Sequence, residues 1–194
     1  MIFKRTLALV FTAFLFSQSA FAAENKGFEQ LRKTFSDVEN FSVNFISKTN
    51  NIEGTAIYSK KFGEKISFGA YVILVKADTV FNYNKKSNRL LISPREDEYS
   101  DYSLRAILFE LPERCEITEE AGAIKLTPRN PEEENFSELT IKTDEKGLPR
   151  EIVITDLGGH KNEIELRGYK FNVELDAKNF GLPINSKTKI IDLR

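Results

Sequence analysis

Apolar residues recur along the chain with two different periods, and the change of period marks where one kind of element follows another. Near the start, four apolar residues lie three or four positions apart, as on one face of a helix: Phe28, Leu31, Phe35 and Val38. From Phe41 onward apolar and polar residues alternate, which is typical of half-buried strands. Residues 103–110 return to a helical pattern, and Pro112 predicts its end.

The alternating segments predict roughly ten short antiparallel strands, separated by turns rich in Asn, Asp and Gly. In the second half, the residues expected on one face of the sheet are Leu139, Ile141, Ile152, Ile154, Ile164 and Leu166. The alternation slips by one position after Gly168, which predicts a bulge or corner there. Without a repeat or linker, residues 23–194 are expected to form a single, mainly β (α+β) domain. Its predicted architecture is an incomplete antiparallel β-barrel or strongly curved sheet with two short helices.

The first 22 residues have the composition of an export signal. Lys4 and Arg5 precede an apolar run over 7–16, and Ala20 and Ala22 fit the small-residue positions that signal peptidase reads. We expect cleavage after Ala22 and a periplasmic location in a Gram-negative cell. A retained membrane anchor is the alternative, but the apolar run is about half of the roughly 20 residues that a membrane-spanning helix needs.

The charge balance and the residue inventory argue against several classes of function. The sequence has 28 basic and 29 acidic residues, and removing Lys4 and Arg5 leaves 26 basic against 29 acidic, a net charge of −3. That balance disfavours nucleic-acid binding. One Cys and one His exclude an intramolecular disulfide and a two-histidine metal site. Because Cys115 and His160 have no evident catalytic partner, we expect no enzyme activity, catalytic residue, metal or cofactor.

Several short motifs follow one another in an order that resembles the outer-membrane lipoprotein carrier (LolA) family. In the first half, these motifs occupy residues 41–45, 54–58 and 77–84. In the second half, they occupy residues 126–128, 136–141, 144–149, 155–159 and 180–183. Each motif is short, and their order and spacing carry the resemblance over nearly the whole of residues 23–194.

The resemblance implies a half-barrel whose short helices form a lid over an apolar cavity for acyl chains. The candidate lining residues are Phe41, Val43, Phe45, Tyr58, Phe68, Val80, Leu139, Ile141, Ile152 and Ile154. The candidate lid residues are Leu104, Ile107, Leu108 and Leu111. An ordinary packed core and a static covering helix would give the same patterns, and the sequence leaves these alternatives open.

Two positions depart from the family's pattern. The family commonly has Arg-Pro after the second strand, with the arginine helping to hold the lid closed, and here Lys61 and Phe62 occupy those positions. Lysine keeps the charge but lacks the planar five-donor guanidinium, so Lys61 is a candidate latch of weaker geometry. Thr79 stands where a glycine usually follows the Asp of the central hairpin.

By resemblance, we expect a carrier chaperone that shields the acyl chains of lipoproteins and transfers them from the inner to the outer membrane. The implied partners are acylated lipoproteins, an inner-membrane lipoprotein-releasing ABC transporter complex and an outer-membrane lipoprotein acceptor. We expect a monomer. A carrier of the same fold for another lipid, and a lipid-sensing or interaction module, are the alternatives. The acceptor itself is normally lipidated, and the absence of a Cys after Ala22 disfavours that assignment.

Overall fold

The computed structural model describes residues 25–95 and 103–194, and the predicted leader at residues 1–22 lies outside them. The helices are α1 (Lys26–Ser36) and α2 (Leu104–Phe109), and a 3-10 turn at Leu111–Glu113 follows α2. The strands are β1 (Asn40–Ser47), β2 (Ile52–Ser59), β3 (Gly63–Phe68), β4 (Tyr71–Lys76), β5 (Thr79–Asn84), β6 (Arg89–Pro94), β7 (Cys115–Glu120), β8 (Ala123–Pro128), β9 (Phe136–Thr143), β10 (Pro149–Asp156), β11 (Lys161–Phe171) and β12 (Lys189–Asp192).

These strands form one sheet in the order β12-β6-β5-β4-β3-β2-β1-β11-β10-β9-β8-β7. All neighbouring strands pair antiparallel except β12, which pairs with β6 in parallel. The edge strands β12 and β7 do not pair with each other, so the sheet is curved but open. The predicted fold, mainly β with an incomplete barrel and two short helices, is confirmed. The structure adds β12, which the alternation did not predict.

One face of the sheet, here called the inner face, carries the apolar residues predicted from the alternation. Ile152 pairs with both Ile141 and Ile164, and Ile154 pairs with Leu139. Both helices pack on this face, and their side chains join the strand residues in one continuous core. The helical residues of that core are Phe28, Leu31, Phe35, Leu104, Ile107 and Leu108.

Helix α1 contacts the sheet at both ends, through β7 at its start and β1 at its end. The Gly27 and Phe28 N–H groups donate hydrogen bonds of 3.1 and 2.7 Å to the Glu119 carboxylate of β7. This contact satisfies two free donors of the first turn and places a negative charge at the positive end of the helix dipole. At the other end, the Phe35 ring packs edge-on against Phe41 of β1, with ring centroids 5.2 Å apart. Helix α1 therefore crosses the inner face from the β7 edge to β1.

The predicted irregularity at Gly168 is present. The β1–β11 register shifts between Ser42 and Asn44, opposite Gly168, whose φ is +70°. A glycine adopts this left-handed conformation without the steric cost that a side chain brings. Beyond it, Tyr169 and Phe171 pack against the inner-face core. The bulge therefore compensates for the one-residue slip, so that the apolar side chains after Gly168 still point toward the core.

The chain after β11 crosses the opposite, outer face of β3–β6. Phe180 is 1% exposed and its ring lies 5.5 Å from that of Phe62. The Lys65 Nζ donates hydrogen bonds of 2.8 Å to the Asn179 and Gly181 carbonyl oxygens. Residues 172–194, which we call the C-terminal strap, thus cover the outer face of β3–β6 and include β12.

Candidate functional site

The structure places all ten predicted lining residues on the inner face, although they come from six different strands. Strand pairing shows this directly. Phe41 lies beside Tyr58, and Val80 lies beside Val75. The remaining members follow from the two-residue alternation along their strands.

Their burial divides these ten residues into two groups. Six belong to the continuous core beneath the helices: Phe41, Val43, Leu139, Ile141, Ile152 and Ile154. Val80 is fully buried in a separate small cluster with Ile73 and Val75. Phe45, Tyr58 and Phe68 are only half-buried. The covered part of the inner face is therefore a packed core, and the more open part carries aromatic side chains.

Two of these open positions, Phe45 and Phe68, belong to a row that the sequence alone did not reveal. Phe45, Gly54, Phe68 and Tyr71 are lateral neighbours on β1, β2, β3 and β4, and we call them the aromatic row. The Phe68 ring centroid lies 6.4 Å from that of Phe45 and 5.5 Å from that of Tyr71, which is 41% exposed. The Phe45 ring lies over Gly54, where a Cβ would approach the Phe45 Cζ to 2.3 Å. Gly54 and Tyr71 were not among the predicted lining residues. The strand register places them beside Phe45 and Phe68.

The four predicted lid residues lie on α2 and the 3-10 turn that follows it. Leu104, Ile107, Leu108 and Leu111 are all buried against the inner-face core. Ser103 caps the helix by accepting a 3.0 Å hydrogen bond from the Ala106 N–H. Helix α2 therefore covers part of the inner face, together with α1, and its side chains pack into the core there.

A buried carboxylate lies between α2 and the sheet. Glu64 of β3 is 6% exposed and accepts a hydrogen bond from the Ser103 side chain. Burial raises the pKa of Glu64 to about 7, against the opposing effects of the Ser103 hydrogen bond and the charges of Arg105 and Arg95. The ionisation of this carboxyl group is therefore coupled to the place where α2 meets β3.

A second polar contact lies beside the first. Arg95, which follows β6, and Arg105 of α2 both contact the Glu110 carboxylate. We call Glu64, Arg95, Ser103, Arg105 and Glu110 the polar seam. In the sequence they resemble ordinary surface residues, because nothing local indicates that α2 folds onto β3 and the end of β6.

The structure places Lys61, the predicted latch, in the exposed turn between β2 and β3. Its Nζ lies 5.1 Å from the centroid of the Phe62 ring, and that ring packs on Phe180 of the C-terminal strap. Its N–H donates a 3.2 Å hydrogen bond to the Ser59 Oγ. The contacts between α2 and the sheet's polar groups instead run through the polar seam.

The remaining candidate residues lie away from this face or are buried in it. His160 lies in an exposed turn, as predicted, and its Nδ1 lies 3.0 Å from Asp156 Oδ2 in the same turn. Cys115 is buried, and burial raises the pKa of its thiol. Within residues 25–95 and 103–194 no group of His, Cys, Asp and Glu is arranged to hold a metal ion. Over the same residues, no helix is long and apolar enough to cross a membrane.

Sequence comparison assigns this chain to a family. The model of the outer membrane lipoprotein carrier protein LolA matches residues 70–183, which are 114 of the 194 residues. The chain belongs to the LolA family. The match includes β4–β11, the polar seam except Glu64, and the motif at residues 180–183 of the C-terminal strap. No curated protein matches the sequence.

Several solved structures resemble this chain at low sequence identity. An uncharacterized conserved protein from Thermus thermophilus is 13% identical with a TM-score of 0.59, covering 86% of this chain and 97% of its own. A LolA superfamily protein from Nitrosomonas europaea is 8% identical with a TM-score of 0.44, covering 81% and 96%. LprF from Mycobacterium bovis is 11% identical with a TM-score of 0.42, covering 82% and 96%. The Thermus likeness shows the fold.

Proposed function

We propose that this protein is a periplasmic carrier that binds the acyl chains of lipoproteins on its inner face and transfers them from the inner to the outer membrane. Membership of the LolA family supports the cargo class. The observation that carries the proposal is the inner face itself, where apolar side chains of the sheet pack with both helices and the half-exposed aromatic row lies beside this core.

The energetics of the cargo explain why such a face is needed. Each methylene of an acyl chain contributes about 0.8 kcal/mol when it leaves water. Several long chains on one lipoprotein therefore cost on the order of tens of kcal/mol to expose. A carrier must offer these chains a large apolar surface and later release them. It needs no reactive group to do so.

Helix α2 occupies the surface that the acyl chains need, so binding requires α2 to move. Leu104, Ile107 and Leu108 would leave the core together, since they lie on one short helix. The polar seam holds the closed arrangement through contacts that break as α2 departs. Cargo and α2 thus compete for one face, and transfer runs on the difference between their affinities for it.

The partners follow from the family and belong to the proposal. An inner-membrane ABC transporter complex would load the lipoprotein, and an outer-membrane acceptor would receive it. We propose that the carrier acts as a monomer and takes no part in covalent chemistry, metal binding or cofactor binding.

A release assay tests the proposal. Purified protein is added to spheroplasts that carry a triacylated lipoprotein, and the lipoprotein in the soluble fraction is measured. Wild-type protein should release it and Phe68→Ser should release less, because serine removes an apolar side chain of the aromatic row. Leu182→Ser is the matched control, a half-buried apolar residue on the outer face. Failure of wild-type protein to release any lipoprotein would overturn the proposed cargo.

Native mass spectrometry of protein purified from its source separates the alternatives. A mass increment of a lipoprotein supports the carrier proposed here. An increment of a glycolipid or another small lipid would assign the same inner face to a different cargo. A stable complex with another protein and no lipid would favour a sensing or interaction module.

A further inference from the structure

Two segments far apart in the sequence meet at one end of the sheet. The Thr188 Oγ1 and the Tyr83 hydroxyl donate hydrogen bonds of 2.8 and 2.9 Å to the Asn88 Oδ1. The Lys189 N–H donates one of 3.0 Å to the Asn88 carbonyl oxygen. Residues 84–89 and 184–190 therefore form one surface, which we call the basic tip.

The charge of the basic tip is opposite to that of the chain as a whole. Its two segments contain five basic residues and no acidic residue, whereas the chain has a net charge of −1. All five basic residues are exposed: Lys85, Lys86, Arg89, Lys187 and Lys189. One of them, Lys85, also lines a groove of about 340 Å³ on the outer face, together with Lys65 and Lys178. Burial, followed by the charge of Lys85, lowers the pKa of Lys65.

Exposed apolar residues occur in one of the two segments, residues 184–190. Ile184 is 46% exposed and Ile190 is 57% exposed, and few other large apolar residues within 25–95 and 103–194 have such exposure. Lysines combined with exposed aliphatic side chains are typical of surfaces that lie against a lipid bilayer. Protein interfaces, by contrast, are depleted in lysine and enriched in arginine. Four of the five cations here are lysines.

The basic tip adjoins the open end of the inner face. Tyr71 of the aromatic row pairs with Asn84, Asn84 pairs with Arg89, and Arg89 pairs with Lys189. A single line of lateral neighbours thus runs from the aromatic row into the basic tip. A flat surface bound by the basic tip would lie close to the half-exposed aromatic side chains.

We propose that the basic tip docks the protein on an anionic phospholipid surface. The cations neutralise lipid phosphates, Ile184 enters the interfacial region, and the aromatic row, at the same ends of the strands, lies close to the bilayer. Each lysine at an anionic surface changes the affinity roughly fivefold. The docking does not depend on the identity of the cargo, so it can hold or fail independently of the proposed carrier function.

Vesicle co-sedimentation tests this docking. The probes are vesicles of phosphatidylcholine alone and vesicles that also contain phosphatidylglycerol, at low salt and at roughly 0.15 M salt. The test variant is Lys86→Gln/Lys187→Gln/Lys189→Gln. The matched control is Lys33→Gln/Lys146→Gln/Lys170→Gln, which removes the same charge from exposed lysines elsewhere.

Wild-type protein and the control should bind the anionic vesicles, more weakly at the higher salt, and the test variant should bind on the order of 100-fold more weakly. Ile184→Ser should also bind more weakly while keeping the salt dependence. Equal binding by the two lysine variants, or no binding of wild-type protein to anionic vesicles, would overturn the proposal. Binding to immobilised polyglutamate but not to vesicles would also overturn it and indicate an acidic protein partner.

Discussion

The Ser103 side chain donates a hydrogen bond to the buried carboxylate of Glu64, and this contact joins α2 to the sheet that it covers. The same hydroxyl accepts a hydrogen bond from the Ala106 N–H, so one side chain both caps the helix and attaches it to β3. Departure of α2 from the inner face separates the pair and exposes Glu64 to water. The ionisation of Glu64 and the position of α2 are therefore linked.

The stability of the protein should fall as the pH rises from about 4.5 to 7. The pKa of Glu64 is about 7 in the folded protein against an ordinary value of 4.5. Between these values the unfolded chain releases a proton that the folded protein keeps, so the Glu64 contribution is complete below pH 4.5 and is lost through pH 7. The slope approaches about 1.4 kcal/mol per pH unit within this range. Urea unfolding at a series of pH values measures it.

Glu64→Gln is the control for this titration. The amide keeps the shape and a hydrogen-bond acceptor but cannot ionise, so the variant should lose the part of the pH dependence that Glu64 causes. It should be more stable than wild-type protein above pH 7. Parallel pH profiles for the two proteins would show that Glu64 does not titrate as described.

Ser103→Ala should loosen α2. The change removes the cap and the hydrogen bond to Glu64, and loss of a cap costs about 1 kcal/mol. Amide hydrogen exchange over residues 104–109 should then accelerate roughly fivefold or more. Ser36→Ala is the control, because its hydroxyl donates to the Lys33 carbonyl oxygen at the end of α1. Equal exchange of α2 in the two variants would contradict the link between Ser103 and the lid.

Core positions and cargo positions should respond differently to truncation. Leu139→Ala, at a fully buried site, should lower the free energy of unfolding by about 2–5 kcal/mol. Phe68→Ala should cost less stability, because Phe68 is half-buried, but should weaken the binding of a fluorescent fatty acid. Urea unfolding and fluorescence titration measure the two effects. Equal loss of stability with unchanged fatty-acid binding would make Phe68 an ordinary core residue.

The latch role predicted for Lys61 can be compared with that of the polar seam. Glu110→Gln removes the charge that Arg95 and Arg105 share and should increase the rate of fatty-acid binding by easing the movement of α2. Lys61→Leu should leave that rate unchanged, because the lysine contacts the Phe62 ring in an exposed turn. A stopped-flow binding experiment compares them. If Lys61→Leu changed the rate of fatty-acid binding and Glu110→Gln did not, Lys61 would be the residue that holds α2 closed.

Much of the inner face could be predicted because alternation reports which side chains share a face. Leu139, Ile141, Ile152 and Ile154 lie where their two-residue spacing places them. The bulge at Gly168 could also be predicted, because one inserted residue shifts the alternation of apolar and polar residues by one position.

Long-range contacts could not be predicted in this way. Glu64 lies in a short strand between Gly63 and Lys65, and its burial depends on a helix that begins forty residues later. The pairing of β12 with β6 in parallel leaves no local signal, because Ile190 and Ile191 alone do not define a strand period. Tyr71 joins Phe45 and Phe68 only through the register of four strands.

Site-specific photocrosslinking tests the central claim most directly. A benzoylphenylalanine residue replaces Phe68 on the inner face or, as the control, its neighbour Ser67 on the outer face of the same strand. Each protein is loaded with a triacylated lipoprotein and irradiated. The account predicts a crosslink to the acyl chains from position 68 and none from position 67. Equal crosslinking from both positions, or crosslinking from position 67 alone, would contradict acyl-chain binding on the inner face.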